Sequence, residues 1–331
     1  MNAVLLTGAG FTKSFGGYLA SEMWATILNQ PEVQNSPKLL KGMRDLENLD
    51  YELFYEDIQV RGTEDQKTHL SAAIRSAFRE MDDNIRTYKP RSLAHACCQL
   101  ISRIVQDNIP SFIFTLNQDM FFERYHSDEK ITVIPGLPDH LSRFRETDQN
   151  STDFGLRLPS LEELEPKRAQ LFKKGFAQIA YVKLHGSQGW LSHDGSDAMV
   201  IGTQKIFRID NEPLLKWYFS LFEQVISRPD TRLLTIGYGF GDRHVNECIV
   251  NAIGNGLKLY VISPQSPQAF KNQFKTPLHG VFMKKPFGDE LWEGLVQYWP
   301  ATIIDFYYDN VSPPGNLKHK GRALFRSLGL T

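Results

Sequence analysis

With 331 residues, 41% of them hydrophobic and 23% charged, the chain is too long to need disulfide staples and too apolar for disorder, so it reads as a globular protein with a sizeable core. Its 37 Lys plus Arg stand against 38 Asp plus Glu, a net of −1, which argues against a constitutive nucleic-acid coat but not against a local basic patch; charge nominates no partner, and no direct nucleic-acid binding is expected. The 3 cysteines include no CxxC pair, no apolar run approaches the roughly 20 residues of a membrane span, and the N-terminus lacks a signal-peptide start; the expectation is a cytoplasmic protein, away from membranes, without structural zinc.

The first element is a short apolar run, Ala3 to Thr7, that ends in Gly8-Ala9-Gly10 and predicts a buried strand entering a tight turn. Helical spacing follows at Leu19, Met23, Trp24, Ile27 and Leu28, so the chain opens with the strand, glycine turn and helix of an α/β nucleotide fold. From Pro31 to about Gln106 the periodic pieces, Leu70 to Met81 and Leu93 to Val105, are helical, and the stretch reads as a helical block. Ser111 to Leu116 and Ile131 to Ile134 are β-rich, the first closed by Asn117-Gln118-Asp119. The polar, proline-containing stretch from Pro135 to about residue 178 reads as an insertion, either a lid or a partner surface.

Ile179 to Leu184 predicts a strand ending in His185-Gly186-Ser187, and Met199 to Ile201 a further short one. Leu214 to Ile226 is helical in spacing; Arg232 to Ile236 is a strand ending in Gly237-Tyr238-Gly239-Phe240-Gly241-Asp242. A helix from about His244 to Ile253 and a strand from Lys258 to Ile262 complete another βαβ unit. In the tail from 286 to 331, Trp292, Leu295, Val296 and Tyr298 fall at helical spacing, and Lys318 to Arg326 reads as an irregular basic end. Strands alternating with helices predict an α/β fold with a mostly parallel sheet, whose strand C-termini gather in one crevice.

Four polar clusters sit at those strand ends. In Gly8-Ala9-Gly10-Phe11-Thr12 the glycines let backbone N–H groups approach a pyrophosphate, or simply make a tight turn; the dehydrogenase fingerprint fails because Lys13 stands where its third glycine belongs. Asn117 is suited to hold ribose hydroxyls or a water and Asp119 to fix that geometry from behind, although Asn and Asp after a strand also form turns. His185, at a strand end before a glycine, is the best general-base candidate, against the alternative of a histidine bonded to backbone. The Gly237 to Gly241 segment lets backbone approach a ligand, and Asp242 is placed to cap the next helix; Asp242 and His244 form no metal site with any second cluster visible in the sequence.

Taken in this order, GAGFT, TLNQD, KLHGSQGW and IGYGFGDRHVN resemble the SIR2-like domain of the sirtuin superfamily, in its divergent bacterial branch that lacks a zinc ribbon. The resemblance spans about Val4 to Pro264. It implies a Rossmann-like, doubly wound nucleotide domain over residues 1–285, with a smaller inserted helical lobe (insertions at about 31–106 and 135–178), followed by a tail. It implies NAD in the cleft, with Gly8, Ala9, Gly10, Phe11 and Thr12 at the phosphates, and with Gly237, Tyr238 and Ser263 near the adenosine ribose. Asn117 and Asp119 match the residues at the nicotinamide ribose, and His185 matches the catalytic histidine.

Three departures bear on activity. No cysteine lies between Cys98 and Cys248, so the four-cysteine ribbon of the deacetylases is missing. Gly17-Tyr18-Leu19-Ala20 replaces their Pro-Asp-Phe-Arg element, and Gly239 stands where relatives have Ser. Members with this pattern resemble NAD+ hydrolases of anti-phage defence, so the expected activity is NAD+ glycohydrolase, with no metal. The alternatives are a non-catalytic NAD or ADP-ribose sensor and an NAD-dependent deacylase or ADP-ribosyltransferase. Because an ungated NAD hydrolase poisons its own cell, a homo-oligomer or a separate activating or sensor protein, such as an ATPase, is expected as control.

Overall fold

The computed structural model describes residues 2–105, 111–126, 131–137, 156–168, 179–275, 286–312 and 316–328. Its strands in chain order are β1 (Asn2–Thr7), β2 (Ser111–Thr115), β3 (Ile131–Val133), β4 (Leu156–Arg157), β5 (Ile179–Lys183), β6 (Trp190–Leu191), β7 (Thr231–Ile236), β8 (Lys258–Ser263), β9 (Leu295–Pro300), β10 (Val311–Ser312) and β11 (Asn316–Leu317). Seven of them form one sheet in the order β3-β5-β2-β1-β7-β8-β9. Every pairing in it is parallel.

Parallel strands need crossovers, and the crossover helices cover the sheet, which is why the strands read as continuous apolar runs instead of alternating ones. Helix Arg91–Val105 packs on β1 and β2 and touches helix Ile303–Asn310, which packs on β8. Helix Pro213–Ile226 packs on β5 and β7 and touches helix Arg243–Gly254; there Phe222 meets Phe114 of β2 edge to face at 5.0 Å. The chain works outward from β1 to β2 and β5, then returns to place β7, β8 and β9 on the other side. The fold is therefore an α/β, doubly wound, Rossmann-like sheet, and its winding reverses between β1 and β7, where such sheets open a crevice.

Five helices between β1 and β2, from Ala20–Leu28 to Glu64–Thr87, pack on one another and bury Leu39, Met43, Phe54, Ile58 and Ile74. Two of their starts carry side-chain caps. Asp50 accepts from the N–H of Glu52 (2.9 Å) and Leu53 (3.2 Å), and Thr63 forms a reciprocal capping box with Gln66.

Three expectations are corrected. Residues Leu295–Pro300 are an edge strand, not a helix: Tyr298 stacks on Phe270 at 4.4 Å while Trp299 turns to Phe306 at 5.9 Å, so neighbours face opposite sides with a period of two. The basic end is regular: His319–Ser327 is helical, and Arg103 lies over the Phe325 ring. Met199–Ile201 joins no ladder; Val200 instead donates its N–H to the carbonyl of His185 at 3.0 Å. Of the expected 135–178 insertion, only 135–137 and 156–168 are among the described residues, and they contain β4 and helix Leu161–Arg168; the lid or partner surface expected there falls largely outside them. Among the described residues no helix is long and apolar enough to cross a membrane.

The core closes directly beneath the first glycine turn. Phe11 is fully buried, stacked on Phe122 at 5.4 Å and edge-on to Phe121 and Phe15. Removing this ring leaves a cavity, so Phe11→Ala is expected to lower the unfolding free energy by about 3–5 kcal/mol in a denaturant titration.

Candidate functional site

The crevice at the β1/β7 reversal is a cleft of about 1310 Å³, above the ~300–1,000 Å³ of common small-molecule pockets. Its floor is the meeting of two glycine loops. The N–H of Gly8 donates to the carbonyl of Ile236 (3.1 Å), and that of Gly10 donates to the carbonyl of Gly237 (3.0 Å). Gly237 has φ +63, and a β-carbon there would stand 2.1 Å from the backbone nitrogen of Phe11; one on Gly8 or Gly10 would strike Gly237 or Tyr238 at 2.8–2.9 Å. These glycines are required by backbone crossing backbone, and the same bareness leaves the loops open to a ligand.

The structure brings Gly8, Ala9, Gly10, Thr12, Asn117, Asp119, His185, Gly237, Tyr238 and Ser263 to the lining of this cleft. Phe11 is the exception. Its ring fills the core below, and its N–H is taken by the carbonyl of Gly8 at 2.9 Å, so it does not face the cleft.

Asn117 is anchored on both sides. Its N–H donates to Thr115 Oγ1 (3.0 Å), and its amide nitrogen donates to the carbonyl of Gly8 (3.1 Å) and to Thr12 Oγ1 (3.2 Å). With both amide hydrogens used, Oδ1 is left as an acceptor suited to a hydroxyl or a water. Asp119 accepts from the N–H of Phe121 at 3.0 Å, and burial pushes its carboxyl up to about 6 although Lys183 pulls the other way. Lys183 is fully buried; it donates to the carbonyl of Asp119 and lies 3.0 Å from Glu123 Oε1, so a buried cation fixes the loop from below.

His185 is held through its backbone. Its carbonyl accepts from the N–H of Val200 and from Gln118 Nε2 at 3.4 Å, while Gln118 also bonds the carbonyl of Val200 at 2.7 Å. The His185 ring reaches His244, with the two Nε2 atoms 3.1 Å apart. Burial depresses the His185 pKa to about 3, partly opposed by Asp242, and His244 is lowered for the same reason, so both imidazoles are neutral near pH 7.

Asp242 stands at the cap position of helix Arg243–Gly254 without capping it through its side chain. Its carboxylate takes Lys205 instead, at 2.8 Å, and Lys205 also meets Glu52 of the helical lobe at 2.9 Å. Burial favours the neutral acid, but the Lys205 ammonium, joined by His185 at acid pH where that ring is protonated, outweighs it and holds Asp242 at about 2. Burial likewise opposes the Lys205 charge, and Asp242 and Glu52 more than restore it.

His185, Asp242 and His244 place one donor atom each within 4.8 Å of one another, a grouping the sequence did not disclose and one that could share a cation. The Asp242 carboxylate already has a cation, the Lys205 ammonium. Sequence reasoning also missed Gln118, Lys183, Lys205 and Glu52. Lys183 left a trace as the charged last residue of an otherwise apolar strand, and Gln118 as the middle of the polar cluster after β2; Lys205 and Glu52 left none.

No protein-family model matches the chain, and no curated protein matches it. Among solved structures, one described under the structural basis for the mechanism and regulation of Sir2 enzymes is similar, with 14% identity over 93% of this chain and 92% of that chain and a TM-score of 0.37.

The buried neutral imidazole gives a pH signature. His185 binds its proton near pH 3 when folded and near 6.5 when unfolded, so the unfolded state takes up more protons between these values and stability falls as pH drops from about 6.5 toward 3. In His185→Gln that fall is expected to be shallower, with the two proteins converging in slope above pH 7. Urea midpoints at half-unit pH steps check it, and the opposite contribution of Asp119, present in both proteins, cancels in the comparison.

Proposed function

We propose that the chain is an NAD+ hydrolase that cleaves the nicotinamide–ribose bond to give nicotinamide and ADP-ribose. The observation that carries the reading is the convergence of Asn117, Asp119 and His185 on one cleft, beside two bare glycine loops at the point where the sheet reverses. Loops without side chains leave room for a pyrophosphate close to the backbone; the N–H groups of Gly8, Gly10, Phe11 and Gly237 are already bonded within the protein, so it is the open space and not those donors that supports the reading. The cleft is long enough in volume for a dinucleotide and not merely for its sugar.

Cleavage turns the ribose into an oxocarbenium-like sugar, the electron pair of the C1′–N bond leaving with nicotinamide, whose ring loses its positive charge. Asn117 Oδ1 holds a ribose hydroxyl or the attacking water. His185 accepts the proton that the water gives up as its oxygen bonds C1′. Asp119 keeps the Asn117 loop in place through the Phe121 N–H. Tyr238 and Ser263, at the ends of β7 and β8, line the same cleft and are assigned to the second ribose and its base, and Gly8, Ala9, Gly10 and Thr12 to the phosphates.

The motif resemblance to the zinc-ribbon-lacking branch supports an effector of anti-phage defence that depletes NAD when activated. Such an activity requires gating, by assembly of copies of this chain or by a separate sensor chain.

The test is nicotinamide release from NAD+ by the purified chain over a range of protein concentrations. Wild type is expected to release nicotinamide, with specific activity rising on assembly, and Asn117→Ala to lose at least ~100-fold in kcat while keeping its unfolding midpoint within a few degrees. Unchanged turnover in both Asn117→Ala and His185→Ala refutes the assignment. NAD+ that binds and is never cleaved at any concentration makes the site a sensor.

A further inference from the structure

The contact between His185 and His244 is not explained by a single-histidine base. Nε2 faces Nε2 at 3.1 Å, and two neutral rings can meet so closely only when one nitrogen carries a hydrogen and the other offers its lone pair. The two residues come from opposite halves of the sheet, His185 after β5 and His244 in the first turn of the helix after β7. Both are nearly buried and both line the cleft. The Phe219 ring backs His244 at a centroid distance of 5.4 Å, and Asp242 stands beside the pair, itself fixed by Lys205.

We propose that His185 and His244 form one proton relay, with His244 a positioning and proton-storing partner and Asp242 the fixed negative charge beside it. The inference rests on the hydrolase reading above. With His185 donating across the shared edge, its Nδ1 holds the free lone pair. The attacking water's O–H bond breaks and its proton goes to His185 Nδ1; the proton already on His185 Nε2 moves to His244 Nε2. The relay ends with His185 neutral and His244 as imidazolium next to the Asp242 carboxylate, and that proton later leaves to solvent. No other reagent is needed.

The charge around the pair supports this direction. A lone buried imidazole is a poor proton acceptor, because burial disfavours its cation. Asp242 opposes that penalty at both rings, while Lys205, across the carboxylate, works against it. Moving the proton onto the second ring shares the cost between two groups and carries the charge away from the reacting carbon, where a cationic sugar is forming.

The experiment compares wild type, His244→Gln and His244→Ala in nicotinamide release from NAD+, with kcat and KM separated, beside NAD+ binding and unfolding midpoints. Glutamine keeps a polar contact to His185 but cannot hold a second proton. Both variants are expected to lose ~100-fold or more in kcat with KM changed by less than about threefold, and added imidazole to restore part of the turnover of His244→Ala. A His244→Gln enzyme with wild-type kcat overturns the relay and leaves His244 a prop. Turnover lost on chelation and regained with zinc also overturns it, since the rings would then be ligands.

A second readout does not depend on variants folding. In the 15N-labelled wild-type protein, a scalar coupling between the two Nε2 nuclei across the shared hydrogen supports the relay, and its absence at neutral pH overturns it. Failure of the parent reading looks different: wild type then binds NAD+ and releases nothing, whatever stands at position 244.

Discussion

The rest of the molecule depends on the backbone crossing at the point where the sheet reverses. Gly8 and Gly10 leave β1, Gly237 leaves β7, and the two turns lie against each other with no side chain between them. Because a β-carbon on Gly237 would fall 2.1 Å from a backbone nitrogen, the neighbouring strands can end level and their loops can share one floor. Asn117 extends the crossing into a third strand, since its amide ties the first turn to the end of β2. A ligand in the cleft therefore meets three strand ends whose relative positions are set by hydrogen bonds already made.

Below and beside that floor, charge is arranged in two groups of opposite setting. Lys183 and Glu123 are both out of contact with water, a pair whose desolvation is offset by geometry and by the added carbonyl of Asp119. They hold a loop and face no substrate. Asp242, Lys205 and Glu52 keep partial access to water and border the cleft, with side-chain exposures of 18%, 17% and 27%. The first group makes the Asn117 loop rigid, while the second sets the electrostatic surroundings of two neutral imidazoles.

Much of this was legible in the sequence because parallel strands buried on both faces are short apolar runs, and each such run here ends in a conspicuous polar or glycine cluster. VLLT before GAG, SFIFT before LNQD, IAYVK before LHG and RLLTI before GYG located four strand ends and the residues that line the cleft. What failed was where a local pattern has two readings. Leu295, Val296 and Tyr298 fit a helical stripe as well as an edge strand, and only pairing with β8 decides between them. Phe11 sits inside a motif whose other members face the ligand space, but its position in a one-turn helix points it at Phe121 and Phe122. The His185–His244 contact spans 59 residues, and Lys205 draws its partners from two distant segments, so no spacing rule could disclose either. Long-range polar pairing is written in the topology.

The Lys205 ammonium has a mechanical meaning as well as an electrical one. One arm holds the glycine loop through Asp242 and the other holds the helical lobe through Glu52, whose helix begins at the Asp50 cap on the rim of the same cleft. The two arms are not equal: Glu52 is the more exposed partner, so water can replace it at less cost than it can replace Asp242. The charge that borders the histidines is thus held by the less exposed arm, and the arm to the lobe is the one that salt screens more readily.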